Sequence, residues 1–266
     1  MTASLPAARR TSTRPNTVVV LDLDGTLIPD EDAFAAAAAE VLTAHLIGQE
    51  RHPDRDPVRE LRIQARQRWR ASPLRETPAA LGVSSWEALW SDLDHQDPSS
   101  SPMATGHSIA VWRDTLTALG GDPARARSAA QMLIRCREAR ARLYPGARDV
   151  LEQFTAGNRL WLVTHGSSSL QRRKLHLAGV GNYFDLVLIS AEVGLLKDTS
   201  DFAELVQVEA ARAGVSVRVV IGDSDSDLSL AANGGWPAIH ICRHWPCGNQ
   251  EPFVLHRRAL ADCPVL

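Results

Sequence analysis

Val18-Val19-Val20-Leu21-Asp22-Leu23-Asp24-Gly25-Thr26 is the stretch on which the reading of this chain turns. Its first four residues are apolar and three are β-branched. The run is too short for most helices, so it is read as a strand buried on both faces. Two carboxylates follow, two residues apart, where the strand runs out into a glycine turn. In an open parallel sheet the carboxyl ends of strands are where ligands bind. Acids this close repel and raise each other's pKa unless a cation sits between them, and a hard divalent cation with oxygen ligands meets that need. One acid is then placed to attack as a nucleophile while the other moves protons. An ordinary Asp-Gly turn is the bland alternative.

Downstream of this strand, residues 31–142 carry helical patterns and no strand candidate. Helices are expected over 32–47, 57–70, 85–93, 104–119 and 123–143, with a Pro/Ser loop at 97–102. Asp122-Pro123 is a good helix start, with the acid as cap and proline in the first turn. The character changes at Tyr144-Pro145-Gly146. From there helices (147–155, 168–178, 201–213, 228–232) alternate with strands (159–163, 185–189, 217–221, 238–241), which predicts a parallel sheet with helices on both faces. The first strand is apolar on both faces and belongs to that sheet. The expected organisation is an α/β, Rossmann-like core from 17–30 and 143–266. An all-helical domain over 31–142 is inserted into it, and residues 1–16 form a loose polar tail.

Three more strand ends carry polar residues. Thr164-His165-Gly166-Ser167 offers a hydroxyl and backbone N–H groups at a helix start, which suits an anion. Lys197 follows the third downstream pattern and offers one cation. Gly222-Asp223-Ser224-Asp225-Ser226-Asp227 alternates acids with small residues at a strand tip, which suits a hard cation but does not match a calcium loop. In this order the features are similar to the haloacid dehalogenase superfamily of phosphatases. Asp22-Leu23-Asp24-Gly25-Thr26 resembles its first motif, Thr164 the second, Lys197 the third and Gly222 to Asp227 the fourth. The insertion then resembles the family's helical cap. The stretch from Thr164 through Gln171 and Lys174 to Gly194 is similar to members acting on nucleotides and sugar phosphates.

The resemblance implies a Mg²⁺-dependent phosphatase acting on a small phosphomonoester. Asp22 would attack phosphorus and form an aspartyl-phosphate, and Asp24 would serve as general acid and then base. Asp22, the Asp24 carbonyl and Asp223 would hold Mg²⁺, with Asp227 in support. Thr164 and Lys197 would hold the phosphoryl oxygens. An acid at position 24 favours phosphoryl transfer over the family's metal-free dehalogenation. Two positions depart from the pattern. His165 stands where asparagine is frequent, with consequences for substrate contacts, and Asp198 replaces a usual proline, which would loosen the loop carrying Lys197. The alternatives are a phosphomutase and a catalytically lapsed fold that binds a partner.

The bulk composition fits this reading. A 266-residue chain with formal net charge −2 and 44% hydrophobic residues is globular and carries no global signal for nucleic acid or membrane. No apolar run approaches a membrane span and no secretory signal opens the chain, so a cytoplasmic protein is expected. Lys174 and Lys197 are the only lysines among 29 basic residues. A lysine retained against that background points to a need for a compact ammonium. His240-Ile241-Cys242-Arg243-His244-Trp245-Pro246-Cys247 contains four residues able to bind zinc. Its spacing matches no standard paired pattern, so it is read as a strand followed by a loop. In the cap, six arginines between Arg59 and Arg75 suggest either a solvated face or a funnel for an anionic substrate. Trp69, Trp86, Trp90 and Trp112 are expected mostly in the core, with one free to stack on a substrate. Asp30, Glu31 and Asp32 lie on the hinge side.

Overall fold

A computed structural model describes residues 15–47, 56–93, 105–243, 247 and 254–264. The expected tail up to residue 14, the 97–102 loop, the start of the 104–119 helix and His244 lie outside the described residues. Alternation along the first strand organises the rest. In β1 (Thr17–Leu21), Val19 and Leu21 point to one face of the sheet, and Val18 and Val20 to the other. All four are at most 1% exposed. A strand can be apolar throughout only if both of its faces are covered.

Elements alternate after it as expected, in the chain order α1 (Asp30–His45), α2 (Pro57–Arg70), α3 (Gly106–Ala118), α4 (Ala126–Glu138), α5 (Ala147–Thr155), β2 (Arg159–Thr164), α6 (Ser168–Ala178), β3 (Leu186–Ile189), α7 (Ser190–Val193), α8 (Ser200–Ala213), β4 (Ser216–Gly222), α9 (Asp225–Gly234), β5 (Ala238–Ile241) and β6 (Val254–Arg257). The strands form one parallel sheet in the order β3-β2-β1-β4-β5-β6. Val150, Leu151 and Phe154 of α5 and Leu175 of α6 pack on the Val19/Leu21 face. Phe202 and Val206 of α8 and Leu230 of α9 pack on the Val18/Val20 face. The result is a doubly wound α/β core. Strand reversal falls between β1 and β4, the place where such sheets bind ligands.

The stretch between β1 and α5 is all-helical among the described residues. It has its own core, built from Phe34, Ala37 and Val41 of α1, Leu61 and Ala65 of α2, Trp112 of α3 and Leu133 of α4. The small alanines of α1 let its neighbours approach closely. The chain leaves and re-enters the sheet at one point, where the Tyr144 N–H donates to the Leu27 carbonyl at 2.8 Å. The helical layer is therefore hung from a double connection. No helix among the described residues is long and apolar enough to cross a membrane.

Three expectations are corrected. The sheet has a sixth strand, β6, added at its edge beyond β5. The expected 85–93 helix is a single 3₁₀ turn, Glu87–Leu89, because Trp90 already leaves helical geometry at φ −138°. The 123–143 helix starts with a 3₁₀ turn capped by Asp122, whose side chain accepts from the Ala124 N–H. It ends as α4 at Glu138.

Candidate active site

Leu21 lies opposite both Leu162 of β2 and Ile221 of β4. Asp22, Thr164 and Asp223 therefore leave the sheet at one edge. They line a cleft of about 580 Å³ whose opposite wall includes Trp86 and Glu87 from the helical layer. The turn after Asp24 depends on glycine. Gly25 has φ +77°, and a Cβ there would fall 1.9 Å from Asp223 Oδ2. Only glycine lets the first turn and the fourth strand tip come this close.

Asp22 is 5% exposed and its Oδ1 accepts from Lys197 Nζ at 2.7 Å. The same ammonium donates to Asp227 Oδ1 at 2.7 Å. Asp227 caps its own helix as well, since its Oδ2 accepts from the Ser224 N–H at 3.1 Å and the Ser224 hydroxyl at 2.6 Å. Both of its oxygens are thus engaged. Carboxylate oxygens of Asp22, Asp223 and Asp227 all lie within 4.8 Å of one another. Burial pushes the Asp22 carboxyl well above its ordinary range against the pull of Lys197, and Asp227 and Asp223 push it further. Burial, followed by repulsion from Asp227, lifts Asp223 to about 7. One lysine does not neutralise these three acids, so the cluster is suited to a divalent cation.

Asp24 sits in a second network, and its two oxygens differ. Oδ2 accepts from Lys174 Nζ at 2.7 Å and from Gln171 Nε2 at 2.9 Å. Oδ1 is buried and has no hydrogen-bond partner. Lys174 is fully buried and also reaches Glu87 Oε1 at 2.9 Å and Asp30 Oδ1 at 3.1 Å. Arg137 closes the group by pairing with Asp30 Oδ1 and donating to the Asp30 carbonyl at 2.9 Å. Burial raises the Asp24 pKa to about 6 even though Lys174 pulls it down, and Asp30 and Glu87 add to the rise. Burial opposes the charge of Lys174, but Asp24, Asp30 and Glu87 together hold its pKa above the ordinary lysine range.

All six residues expected at the site, Asp22, Asp24, Thr164, Lys197, Asp223 and Asp227, lie at this end of the sheet. Five of them line the cleft, and Asp227 stands behind Lys197. Thr164 is buried, and its hydroxyl accepts from Gln171 Nε2 at 3.4 Å. Of the two departures from the family pattern, His165 takes up the loop it faces: its Nε2 accepts from the Lys197 N–H at 2.8 Å. The Asp198 carbonyl accepts from Asn233 Nδ2 at 3.0 Å. The loop carrying Lys197 is therefore tied on both sides rather than loosened.

Sequence reasoning missed the Lys174, Gln171, Glu87 and Arg137 group as parts of the site. The signal was present for Lys174, the second lysine in an arginine-rich chain. Asp30, placed on the hinge, is locked into this group, while Glu31 and Asp32 stay exposed on the rim. Trp69, Trp90 and Trp112 are core residues, and Trp86 is the tryptophan in the cleft wall. No arginine of the 59–75 cluster lines the cleft. Arg59, Arg66, Arg68 and Arg70 are exposed, and Arg62 lies over the Phe34 and Trp86 rings and pairs with Glu31.

Comparison with known proteins agrees with this geometry. The model of the haloacid dehalogenase-like hydrolases matches residues 17–235. The chain is 34% identical to phosphoserine phosphatase of Thermus thermophilus over 192 residues, covering 68% of this chain and 70% of the relative. It is 32% identical to pyrimidine 5'-nucleotidase YjjG of Escherichia coli over 101 residues, covering 38% and 45%. Among solved structures, the HAD-hydrolase YfnB of Bacillus subtilis, determined bound to magnesium, superposes with a TM-score of 0.60 at 18% identity, covering 92% of this chain and 96% of YfnB. Solved 2-haloacid dehalogenases match at comparable identity, a level that shows the fold alone. The match over most of the chain, together with four motifs gathered at one sheet edge, makes this protein an enzyme of the haloacid dehalogenase-like hydrolase family.

Proposed function

We propose that the protein is a Mg²⁺-dependent phosphatase that hydrolyses a small phosphomonoester through an aspartyl-phosphate on Asp22. The observation that carries this reading is the unequal environment of the two Asp24 oxygens. Oδ2 is fixed by Lys174 and Gln171, and Oδ1 is buried without a partner. A carboxyl fixed at one oxygen and buried at the other keeps one orientation at the cleft wall. With a pKa near 6 it can both give and take a proton around neutral pH. Departure of a halide needs no proton, so a buried group devoted to poising Asp24 has its use in phosphate ester cleavage.

The steps follow from the residues. An Asp22 oxygen attacks phosphorus while the ester P–O bond breaks, and the leaving oxygen takes the proton of the Asp24 carboxyl. Asp24, now ionised, takes a proton from water as that water attacks the phosphoryl group, which frees phosphate and restores Asp22. Lys197 orients Asp22 and places positive charge where the phosphoryl oxygens gather, and the Thr164 hydroxyl, which donates to the His165 carbonyl at 3.3 Å, would turn from it to donate to them. Asp22 and Asp223 fit a divalent ion, as burial first and then repulsion among the neighbouring acids raise their pKa values, and Asp227 supports them through Lys197. Bound there, Mg²⁺ would neutralise charge on the transferring group.

The rim bears on the substrate. Glu31 and Asp32 are exposed there and Trp86 offers an aromatic face. This suits a single phosphate carried on a hydroxyl-bearing or ammonium-bearing body, such as a nucleotide, sugar or amino-acid monophosphate. The test is phosphate release from a panel of such esters with Mg²⁺, in the native protein and in Asp22→Asn. Native turnover lost in the variant is expected, because an amide is a poor nucleophile. Near-native turnover in Asp22→Asn would overturn the mechanism. Transfer of the phosphoryl group to a sugar instead of water would mark a mutase.

A further inference from the structure

We propose that His240, Cys247 and His256 form a second metal site, built for Zn²⁺ and separate from the aspartate cluster. The residues come from β5, from the segment after it and from β6. His240 and Cys247 are buried, and His256 is partly so. The zinc-capable residues are spaced irregularly along the sequence. Parallel pairing of β5 with β6 sets His240 directly opposite His256, and the chain folds Cys247 in beside them.

Tautomer chemistry carries the argument. His240 Nε2 lies 2.9 Å from the Asp223 carbonyl, which can only accept, so Nε2 holds the proton and Nδ1 of the neutral ring holds a lone pair. A ring nitrogen bound to a backbone carbonyl, with the other left bare, is the usual arrangement of a metal-ligating histidine. That bare Nδ1 faces His256 Nδ1 at 3.3 Å and Cys247 Sγ at 3.3 Å. Without a metal, an N–H and an S–H compete for one lone pair, and the buried His256 Nε2 has no protein partner. A metal would give all three donors one shared partner.

The distances agree with this. Tetrahedral Zn²⁺, with bonds of about 2.0 Å to nitrogen and about 2.3 Å to sulfur, separates its donors by about 3.3–3.6 Å. All three ligand atoms lie within 4.8 Å of one another. Two imidazoles and a thiol favour zinc over magnesium, which prefers oxygen. Three protein ligands leave the fourth position to water. On binding, the Cys247 thiol proton passes to solvent, and His256 carries its proton on Nε2. The ion would fasten the edge strand β6 to β5, whose His240 also holds the Asp223 backbone at the cleft.

Cobalt reports the site directly. The purified full-length protein, stripped of metal and titrated with Co²⁺, is expected to develop a near-ultraviolet thiolate-to-cobalt charge-transfer band and tetrahedral visible bands. Equimolar Zn²⁺ should displace both. Cobalt held by the aspartates gives no sulfur band, so the two sites separate spectroscopically. Cys247→Ser should abolish the band, and His256→Ala should weaken both it and Zn²⁺ affinity measured against a chromophoric chelator. Zn²⁺ should also raise the melting temperature of the native protein and leave that of Cys247→Ser unchanged. No sulfur band in the folded native protein, or the same band in Cys247→Ser, would overturn the proposal. A variant that fails to fold leaves the native titration and zinc displacement as the deciding measurement.

Discussion

Replacing Lys174 with methionine isolates what this lysine does for Asp24. Methionine keeps the length and apolar stem but removes the ammonium. That ammonium lies 2.7 Å from Asp24, 2.9 Å from Glu87 and 3.1 Å from Asp30, with no exposure to water. Removing one partner of a buried ion pair costs about 3–5 kcal/mol, because it strands the other charge. For a chain of this size each kcal/mol moves the melting temperature by about 2–4 °C, so Lys174→Met should melt about 6–20 °C below the native protein. The deficit should shrink on acidification. In the variant the folded protein binds a proton at Asp24 that the unfolded chain does not, so its relative stability rises as pH falls towards the ordinary carboxylate range. Activity should fall too. Asp24 would stay protonated at neutral pH and could not act as base, so kcat should drop by about 10²-fold or more, with trapped aspartyl-phosphate and little change in KM. The assays are thermal melts between about pH 5 and pH 8 and steady-state kinetics below the variant's melting range. A melting temperature within about 2 °C of native, the size of a single kcal/mol, together with native kcat, would refute the reasoning.

Activity should vanish with excess EDTA and return on adding Mg²⁺ alone; full turnover in chelator would show that the aspartates work without a metal. His165 should give stability a pH slope. Burial, helped by the Lys197 charge, lowers its pKa from 6.5 to about 4. Its contribution is whole above 6.5 and is lost as pH falls towards 4, to a limit on the order of 3 kcal/mol. Native-minus-variant melts of His165→Asn should show this slope, and parallel curves would contradict it. Arg66→Glu should leave KM and the salt dependence of kcat/KM unchanged, since Arg66 is exposed and away from the cleft. A weakened salt dependence would restore the arginine funnel.

Local patterns carried the sequence reading furthest. Helices 57–70, 147–155 and 168–178 were legible to the residue, because a proline start, a glycine entry or a serine start marks one end of each. The four polar motifs were legible because each is local in sequence and follows a strand into the same end of the sheet. The Asp24 group was not. Lys174 meets Asp24 across 150 residues and Glu87 across 87, and no spacing rule spans such distances. The strand β6 escaped because it is four residues long, its burial is partial, and its role comes from pairing with β5. For the same reason His256 could not be connected to His240 by reading the sequence between them.

Glu87 belongs to the helical layer and Lys174 to the α/β core, yet they share one buried contact beside Asp24. Swinging the layer away from the sheet must break that contact and admit water. Lys174 would then pair with Asp24 with Asp30 as its remaining rival acid, and water would remove the desolvation that raises the Asp24 pKa. Both changes make Asp24 a stronger acid and leave it ionised. An open enzyme would thus present a carboxylate with no proton to give, and the proton would arrive only as the layer seats itself. Closure in this design is an acid–base event as much as a mechanical one, timing catalysis to the moment when the substrate is enclosed.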